Sequence, residues 1–468
     1  MPILTNYALA GLVDWSQVPP LPFEWACLPQ QCYRWARLPV VSYAIPALVA
    51  IGQARFIHCG PRFPLTRLVR RAAIDRSLRV LERMQPDSGG YLEAVPLTSF
   101  VAMSLASTGR VEHRVTREAV RFLRESVRPD GSWPIDTNLA TWTTSLATNA
   151  LSGDATLQPD ETTIDWFLNC QHRVRHPFTG AEPGGWGWTD LSGAVPDADD
   201  TAGALLACRH WQSQWHPDRH SQSQWDPALH TRVRAAAELG VQWLLDLQNR
   251  DGGWPTFCRG WGKLPFDRSG ADLTAHAMRA LHAWRDVRPR STQRALRRGW
   301  SYLQRHQRPD GSWLPLWFGN QDHPDEENPV FGTARVLLAY HELTADAADA
   351  AQRGYRWLAS VQRADGSWGG GLLRDGRPAP NAGGSVEETA LALEALVARR
   401  QDPALQTPVS KGLQWLTDAV LADRHRESSP IGFYFAKLWY YEKLYPLIFA
   451  VAALGRAVHG FGIHTPHR

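Results

Sequence analysis

Residues 236–254 read AAELGVQWLLDLQNRDGGW. Up to Gln248 the apolar residues recur at amphipathic-helix spacing. An Asp-Gly turn follows, and its glycine supplies the positive φ that a tight reversal needs. The stretch then ends on Trp254. Relatives of the phrase recur at intervals of roughly 40 to 70 residues: MQPDSGGY (84–91), VRPDGSW (127–133), EPGGWGW (182–188), HQRPDGSW (306–313) and VQRADGSW (361–368). RRGWSYLQRHQ and AQRGYRWLASVQ are amphipathic helices of the same kind ahead of their turns. Apolar helices follow: WTTSLATNAL, TAGALLACRHW, LTAHAMRALHAW, GTARVLLAYHEL and EETALALEALVA. The unit is helix, Asp-Gly turn, Trp, loop, helix. The Trp can stack on a neighbouring helix end and donate its indole N–H there, while the Gln satisfies loop backbone groups. Few stretches alternate with period two, so the fold class is all-α. Helix pairs repeated about six times predict an α/α barrel with inner and outer rings, an open solenoid being the alternative.

The bulk composition narrows the function. Charge is nearly balanced, with Lys+Arg 50 against Asp+Glu 46 and no basic block, which argues against nucleic acid as a partner. Trp 22 is several times the usual share, so tryptophan serves either the repeat or an aromatic-walled site. The six cysteines (Cys27, Cys32, Cys59, Cys170, Cys208, Cys258) form no CxxC pair and read as scattered thiols of a reducing compartment. The start shows no signal-peptide pattern. RLPVVSYAIPALVAIGQARF (37–56) carries an apolar run of about 15 residues where a spanning helix needs roughly 20. Trp35, Arg34 and Arg37 flank it. It is either a buried core helix or an apolar patch dipping into one leaflet.

An acidic stretch interrupts the repeats. AVPDADDTAGALLACRHW (194–211) crowds Asp197, Asp199 and Asp200 into four positions at the mouth of an apolar helix. Pro196 and Asp197 predict the helix start, with Asp197 near the N-cap. A helix N-terminus favours anions, whereas burial and neighbouring carboxylates disfavour them. Three acids beside a dry cavity cannot all ionise cheaply, so one holds a proton at neutral pH. Such a carboxyl is a strong general acid, as protonation of an unactivated alkene requires. A solvated acidic turn or a Ca²⁺ loop is the alternative. In GADLTAHAMRAL (270–281), Asp272 and His276 stand four apart and share a helix face. Asp272 would fix the imidazole, and the imidazole would hydrogen-bond the acid. A packed or surface histidine is the alternative there.

The Gln-x-x-x-Gly-x-Trp repeats together with DADDTA resemble the squalene–hopene cyclase family and its relatives, the class II terpene cyclases. The resemblance covers nearly the whole chain from Val13. LVDWSQVPPLPFEWACLP is similar to the family's interior, so roughly its first quarter is expected to be missing, lost in this lineage or cut off by a misassigned start. That quarter carries family carboxylates that help end the reaction. The resemblance implies residues 1–135 as part of a second α/α-barrel domain with a membrane-contacting apolar segment, and 136–468 as the catalytic α/α barrel. It makes Asp199, the middle Asp of the motif, the acid, with Asp197 and Asp200 polarising it, and DLTAH matches the family's Asp-x-Thr-x-His element. The family's aromatic walls fall on Trp142, Trp188, Phe257, Trp317, Phe433 and Tyr440, the last two on the last helix. Core or repeat packing is the alternative for each, and the preferred reading for Trp133, Trp186, Trp254, Trp313 and Trp368.

Two departures stand out. Lys437 occupies a usual Tyr position one turn from Phe433, and FGNQDHPDEENPVF (318–331) is a polar insertion that caps an entrance or forms a solvated loop. The implied activity is proton-initiated cyclisation of squalene or a related linear isoprenoid to a polycyclic product such as hopene. No metal or organic cofactor is implied. The implied place is the cytoplasmic face of the inner membrane, monotopically bound near residues 38–56, with a homodimer left open. A cyclase of a shorter prenyl diphosphate would need a basic or Mg²⁺-assisted pocket, and no clear cluster shows. A non-catalytic isoprenoid-binding remnant is a third reading, against which the intact DADD and DLTAH stand. No GxxxxGK[ST], HExxH, GxSxG or strand-borne GxGxxG occurs, nor a convincing Asp/Cys/His zinc set of the prenyltransferase kind.

Overall fold

The first 139 residues, joined by Val174–Glu182 and Trp188–Val195, pack as one unit. The structure, a computed structural model of the chain, describes residues 2–29, 32, 45–154, 160–176, 181–214, 227–257, 266–323, 325–346, 348–371, 383–434 and 438–459, with only the backbone at 433 and 434. This unit holds α1 (Pro2–Leu9), α2 (Ile45–His58), α3 (Pro64–Met84), α4 (Val95–Ala106) and α5 (Arg114–Glu125). Its core gathers Ile45, Val49, Leu78, Leu81, Tyr91, Val101 and Val115. The apolar stretch assigned to the membrane is corrected in part. Ile45, Pro46, Val49, Ala50, Ile51 and Ala54 are buried, so the apolar character of these residues goes into the core. Residues 38–44, with Arg34, Trp35 and Arg37, lie outside the described residues. Among the described residues no helix is long and apolar enough to cross a membrane.

The second unit comprises Ala140–Arg173, Pro183–Gly187 and Pro196–Arg468. Its helices are α6 (Ala140–Leu151), α7 (Glu161–Asn169), α8 (Ala198–Gln214), α9 (Pro227–Leu247), α10 (Ala271–Ala283), α11 (Pro289–Arg305), α12 (Pro329–Glu342), α13 (Asp349–Ser360), α14 (Val386–Val397), α15 (Pro403–Leu421) and α16 (Tyr445–His459). The even-numbered helices form a closed ring: α6 meets α8, then α10, α12, α14 and α16 follow, and α16 returns to α6. Helices α9, α11, α13 and α15 back onto α8, α10, α12 and α14. Closure makes this an α/α barrel and excludes the open solenoid. Burial separates the rings. All 12 residues of α14 are buried, whereas α11 buries only the stripe Thr292, Ala295, Gly299, Tyr302 and Leu303. Ahead of α16 stand two short antiparallel strands, β1 (Gly432–Tyr434) and β2 (Leu438–Tyr440). Phe433 and Tyr440 therefore lie on a hairpin and not on the last helix. A Cβ at residue 432 would strike the Tyr440 ring, so only glycine fits opposite it.

The Gln and Trp of each repeat clamp three segments together. Gln248 Nε2 donates to Gly252 O of its own turn (2.7 Å) and to Ala295 O of α11 (2.9 Å). The indole of Trp254 donates to Leu244 O, ten residues back (2.8 Å). Trp313 and Trp368 do the same with Leu303 and Leu358, and Gln307 and Gln362 repeat the double donation. In the first unit Tyr91 substitutes for Trp, its hydroxyl donating to Leu81 O (2.9 Å). Trp133 keeps the hydrogen bond, to Leu123 O, but its ring is 52% exposed and is not core. A Cβ on Gly252, at φ +97°, would lie 2.4 Å from Arg298 O, so the turn and the next outer helix meet backbone to backbone. The clamp also fixes register. The backbone N–H of Trp186, Trp254, Trp313 and Trp368 donates to Thr201, Thr274, Thr333 and Thr389 near the starts of α8, α10, α12 and α14. Gln248→Ala strips two buried carbonyls of their donor and is expected to cost about 2–4 kcal/mol, measured by chemical denaturation. A cost within experimental error of zero would show that the clamp does not carry the fold.

Candidate active site

The acid cluster is built on the first turn of α8. Asp197 caps it: its Oδ1 accepts from the backbone N–H groups of Asp199 and Asp200, both at 2.8 Å. Asp197 N–H in turn donates to Trp186 O (3.0 Å), which ties the cap to a clamp tryptophan. Asp197 and Asp200 are buried at 4% and 5%, while the Asp199 side chain keeps 25% of its surface open. Asp199 is thus the carboxyl of the three that reaches open space. Burial pushes the Asp197 carboxyl up to about 7; its hydrogen bonds with Asp200 and the backbone oppose this, and the charge of Asp199 adds to it.

His276 arrives from α10 and meets the acid directly, its Nδ1 lying 2.5 Å from Asp199 Oδ1. Burial holds the imidazole below its ordinary value; Asp199 opposes this, and Arg335 and Arg279 reinforce it. Beside the ring, α8 passes Ser145 of α6 closely at Gly203, where a Cβ would lie 2.8 Å from Ser145 Oγ. Asp272 does not take its expected part. Its Oδ1 accepts from the Leu316 backbone N–H (3.1 Å), and the imidazole is oriented by Asp199 itself. Helical spacing puts Asp272 on the same face as His276, but its carboxyl stands at the helix mouth, where the 314–317 loop supplies an unpaired amide. Burial pushes Asp272 up to about 7, with the charge of Asp199 adding to it.

Aromatic rings gather beside the acids and His276. Trp142 lies edge-on to His276 at 6.3 Å, and its indole donates to Tyr445 Oη (2.9 Å). The Tyr445 hydroxyl is 3.3 Å from that of Tyr440, and its ring stacks on Phe449 at 5.3 Å. Phe257, Phe266 and Trp317 form a second stack, with centroids 5.6 and 5.0 Å apart. Both ends of that stack are tethered to the acids: Thr256 O accepts from Ala198 N–H at the start of α8, and the Leu316 amide holds Asp272. The Phe433 side chain and Lys437 lie outside the described residues, and Trp188 belongs to the first unit. The polar insertion is anchored by two buried asparagines, while Gln321, Asp322 and Asp325 between them are exposed. Asn320 and Asn328 are buried; Asn328 caps α12 by accepting from Phe331 N–H, and Asn320 donates to Gly370 O.

Phe266, Phe318, Phe331, Tyr445 and Phe449 escaped the sequence reading, as did a buried charged layer deeper in the ring. There Arg279 pairs twice with Glu342 at 2.7 Å, and Arg456 bridges Glu342 (3.5 Å) and Glu394 (2.9 Å). Burial pulls the Arg335 guanidinium down, opposed first by Glu394 and then by Asp199. Repeat alignment was the available signal for Arg335. It stands two residues after Thr333, as His276 stands two after Thr274. Among the described residues no group of three or more His, Cys, Asp or Glu side chains is arranged to hold a metal ion.

An α/α barrel with an Asp-rich inner-helix mouth is a recognisable class. A sequence profile for the squalene–hopene cyclase C-terminal domain matches residues 138–459, and the chain belongs to that family. It is 25% identical over 426 residues to squalene–hopene cyclase of Bradyrhizobium diazoefficiens, covering 83% of this chain and 60% of the relative. It is 31% identical over 256 residues to drimenyl diphosphate synthase of Streptomyces showdoensis, covering 54% of this chain and 40% of the relative. In fold it is similar to ent-copalyl diphosphate synthase from Streptomyces platensis, with a TM-score of 0.52 and 19% identity over 98% of this chain and 86% of that one. The first curated relatives matched are longer proteins, of which the chain spans 28% to 60%.

The raised Asp272 gives a signed pH test. The folded chain retains a proton that the unfolded carboxyl, near 3.8, has already released. Stability therefore falls as pH rises from about 4 to about 7, by up to about 4 kcal/mol in all. Asp272→Asn does not titrate, so its melting temperature should gain on wild type across that window and level off above it. A gap independent of pH would remove the buried protonated carboxyl from the site.

Proposed function

We propose that the protein is a class II cyclase that protonates the terminal alkene of a linear isoprenoid, with a squalene-like triterpene as substrate and a cyclic triterpene hydrocarbon as product. The observation that carries this reading is the 2.5 Å contact between Asp199 and His276 at the mouth of an aromatic-lined ring. Asp199 adds its proton to one carbon of the terminal alkene, leaving a tertiary carbocation, and after cyclisation the last cation loses a proton to water to give the hydrocarbon. His276 holds the carboxyl in place and accounts for the charge left on it. Trp142, Tyr445 and Tyr440 present ring faces to the cations that follow as successive alkenes attack, each face contributing roughly 0.5–2 kcal/mol. Asp197, its carboxyl raised by burial, and the buried Asp200 shape the field beside the acid. The activity of squalene–hopene cyclase relatives supports the triterpene choice. Drimenyl diphosphate synthase among the relatives favours, as a second reading, a shorter prenyl diphosphate.

The substrate would reach the protein from a membrane surface. Phe63, Leu65, Leu68 and Val69 of the first unit are 49% to 65% exposed, an apolar group at the start of α3 suited to peripheral contact. Replacing Phe63, Leu65 and Leu68 with serine should abolish co-sedimentation with phospholipid vesicles while leaving the circular dichroism spectrum intact. Retained binding would move the contact elsewhere.

Activity is tested by incubating the protein with squalene and, separately, with farnesyl and geranylgeranyl diphosphates, followed by mass analysis. Cyclic triterpene from squalene is expected, with a loss of about 100- to 10,000-fold in Asp199→Asn. Equal products from variant and wild type would defeat the assignment of the acid. Turnover of diphosphates alone would decide for the second reading.

A further inference from the structure

Arg335 stands where a cyclase chamber is expected to be apolar. The clamp register places it on α12 at the level His276 occupies on α10. Its guanidinium lies 5.4 Å from the Phe331 centroid and 5.7 Å from that of Phe449. Phe331 is on α12 and Phe449 on α16, and these helices flank α14 on opposite sides. The guanidinium therefore reaches across the interior of the ring. The deeper charges are matched among themselves, since Arg279 and Arg456 bond Glu342 and Glu394. Among the described residues Arg335 makes no hydrogen bond to a protein acceptor, and the two aromatic faces are its contacts. Those faces would otherwise stabilise a carbocation on this side of the chamber.

We propose that Arg335 is a specificity-determining residue: it occupies the cation-binding faces of Phe331 and Phe449 with a fixed positive charge and confines the migrating carbocation to the side lined by Trp142, Tyr445 and Tyr440. Two positive charges a few ångströms apart repel far more strongly in a dry ring than in water. A cation migrating along the polyene is turned back there, and cyclisation stops at fewer rings than the same chamber without Arg335 would allow. This rests on the cyclase reading above.

The test compares wild type with Arg335→Leu, Arg335→Met and Arg335→Lys in two measurements. The first is the ring count of products from squalene, by mass analysis. The second is calorimetric binding of N,N-dimethyldodecylamine, a hydrocarbon-tailed ammonium that mimics the carbocation and requires no turnover. Leu and Met should shift products toward more rings and bind the amine about tenfold more tightly, whereas Lys should keep the wild-type pattern in both. Having Met beside Leu guards against one variant that fails to fold, as monitored by thermal unfolding. Unchanged ring counts and unchanged amine affinity in folded variants, with wild type active, would overturn the role of Arg335 alone. A wild type inactive on every polyprenoid would overturn the cyclase reading instead, while the amine titration would still report on the charge of the chamber.

Discussion

The side-chain amide of the repeat glutamine is the bond on which the architecture depends. Each such Gln has two N–H donors and spends one on its own turn and one on the following outer helix. The tryptophan closes the third side by bonding the helix it has just left. Three backbone segments are thereby held at fixed distances by two side chains. None of the carbonyls involved is left to find a partner in a crowded wall. An outer helix can then lie against the turn with glycine at the contact, which is why Gly252 and its counterparts sit under the carbonyls of Arg298, Arg353 and Lys411. The barrel does not rely on helix propensity. It relies on a joint used repeatedly.

The joint also determines the chemistry. By fixing a threonine near the start of successive inner helices, it sets those helices to a common level. Asp199 and Asp272 then fall two residues before the threonine, and His276 and Arg335 two residues after it. One layer of the ring carries acids and the next carries a base and a cation, separated by about one helical turn. The 2.5 Å contact between Asp199 and His276 links these two layers on adjacent helices. Beside it, Gly203 lets α8 pass Ser145 of α6, where a Cβ would lie 2.8 Å from the hydroxyl.

This explains which features were legible in the sequence. The repeat phrases fix local turns, so the all-α class, the barrel and the N-cap at Asp197 follow from short-range rules. His276 as partner of Asp199 was reachable because both sit at helix starts marked by the same repeat. The role of Asp272 was misread because a shared helix face says nothing about an amide delivered from a loop 44 residues away. Phe433 and Tyr440 were placed on the last helix by resemblance to the family, whereas here Gly432 pairs opposite Tyr440 in a hairpin. Phe318, Phe331, Tyr445 and Phe449 meet only once the ring has closed, and closure is a property of the whole unit.

A charge inside such a ring has a different meaning from a charge on its surface. The Arg279–Glu342–Arg456–Glu394 chain is electrically balanced, and its members satisfy one another at the cost of desolvation. It seals the interior without placing a field on what lies above it. Arg335 is held differently: its counter-charges act at longer range and its direct contacts are π faces. Holding an unbalanced, half-buried guanidinium there costs stability that an apolar side chain at the same position would not. The excess positive charge lies two repeats from the proton donor and one from its histidine, at that histidine's level, and there it acts on any positive charge that develops in the space the acid faces.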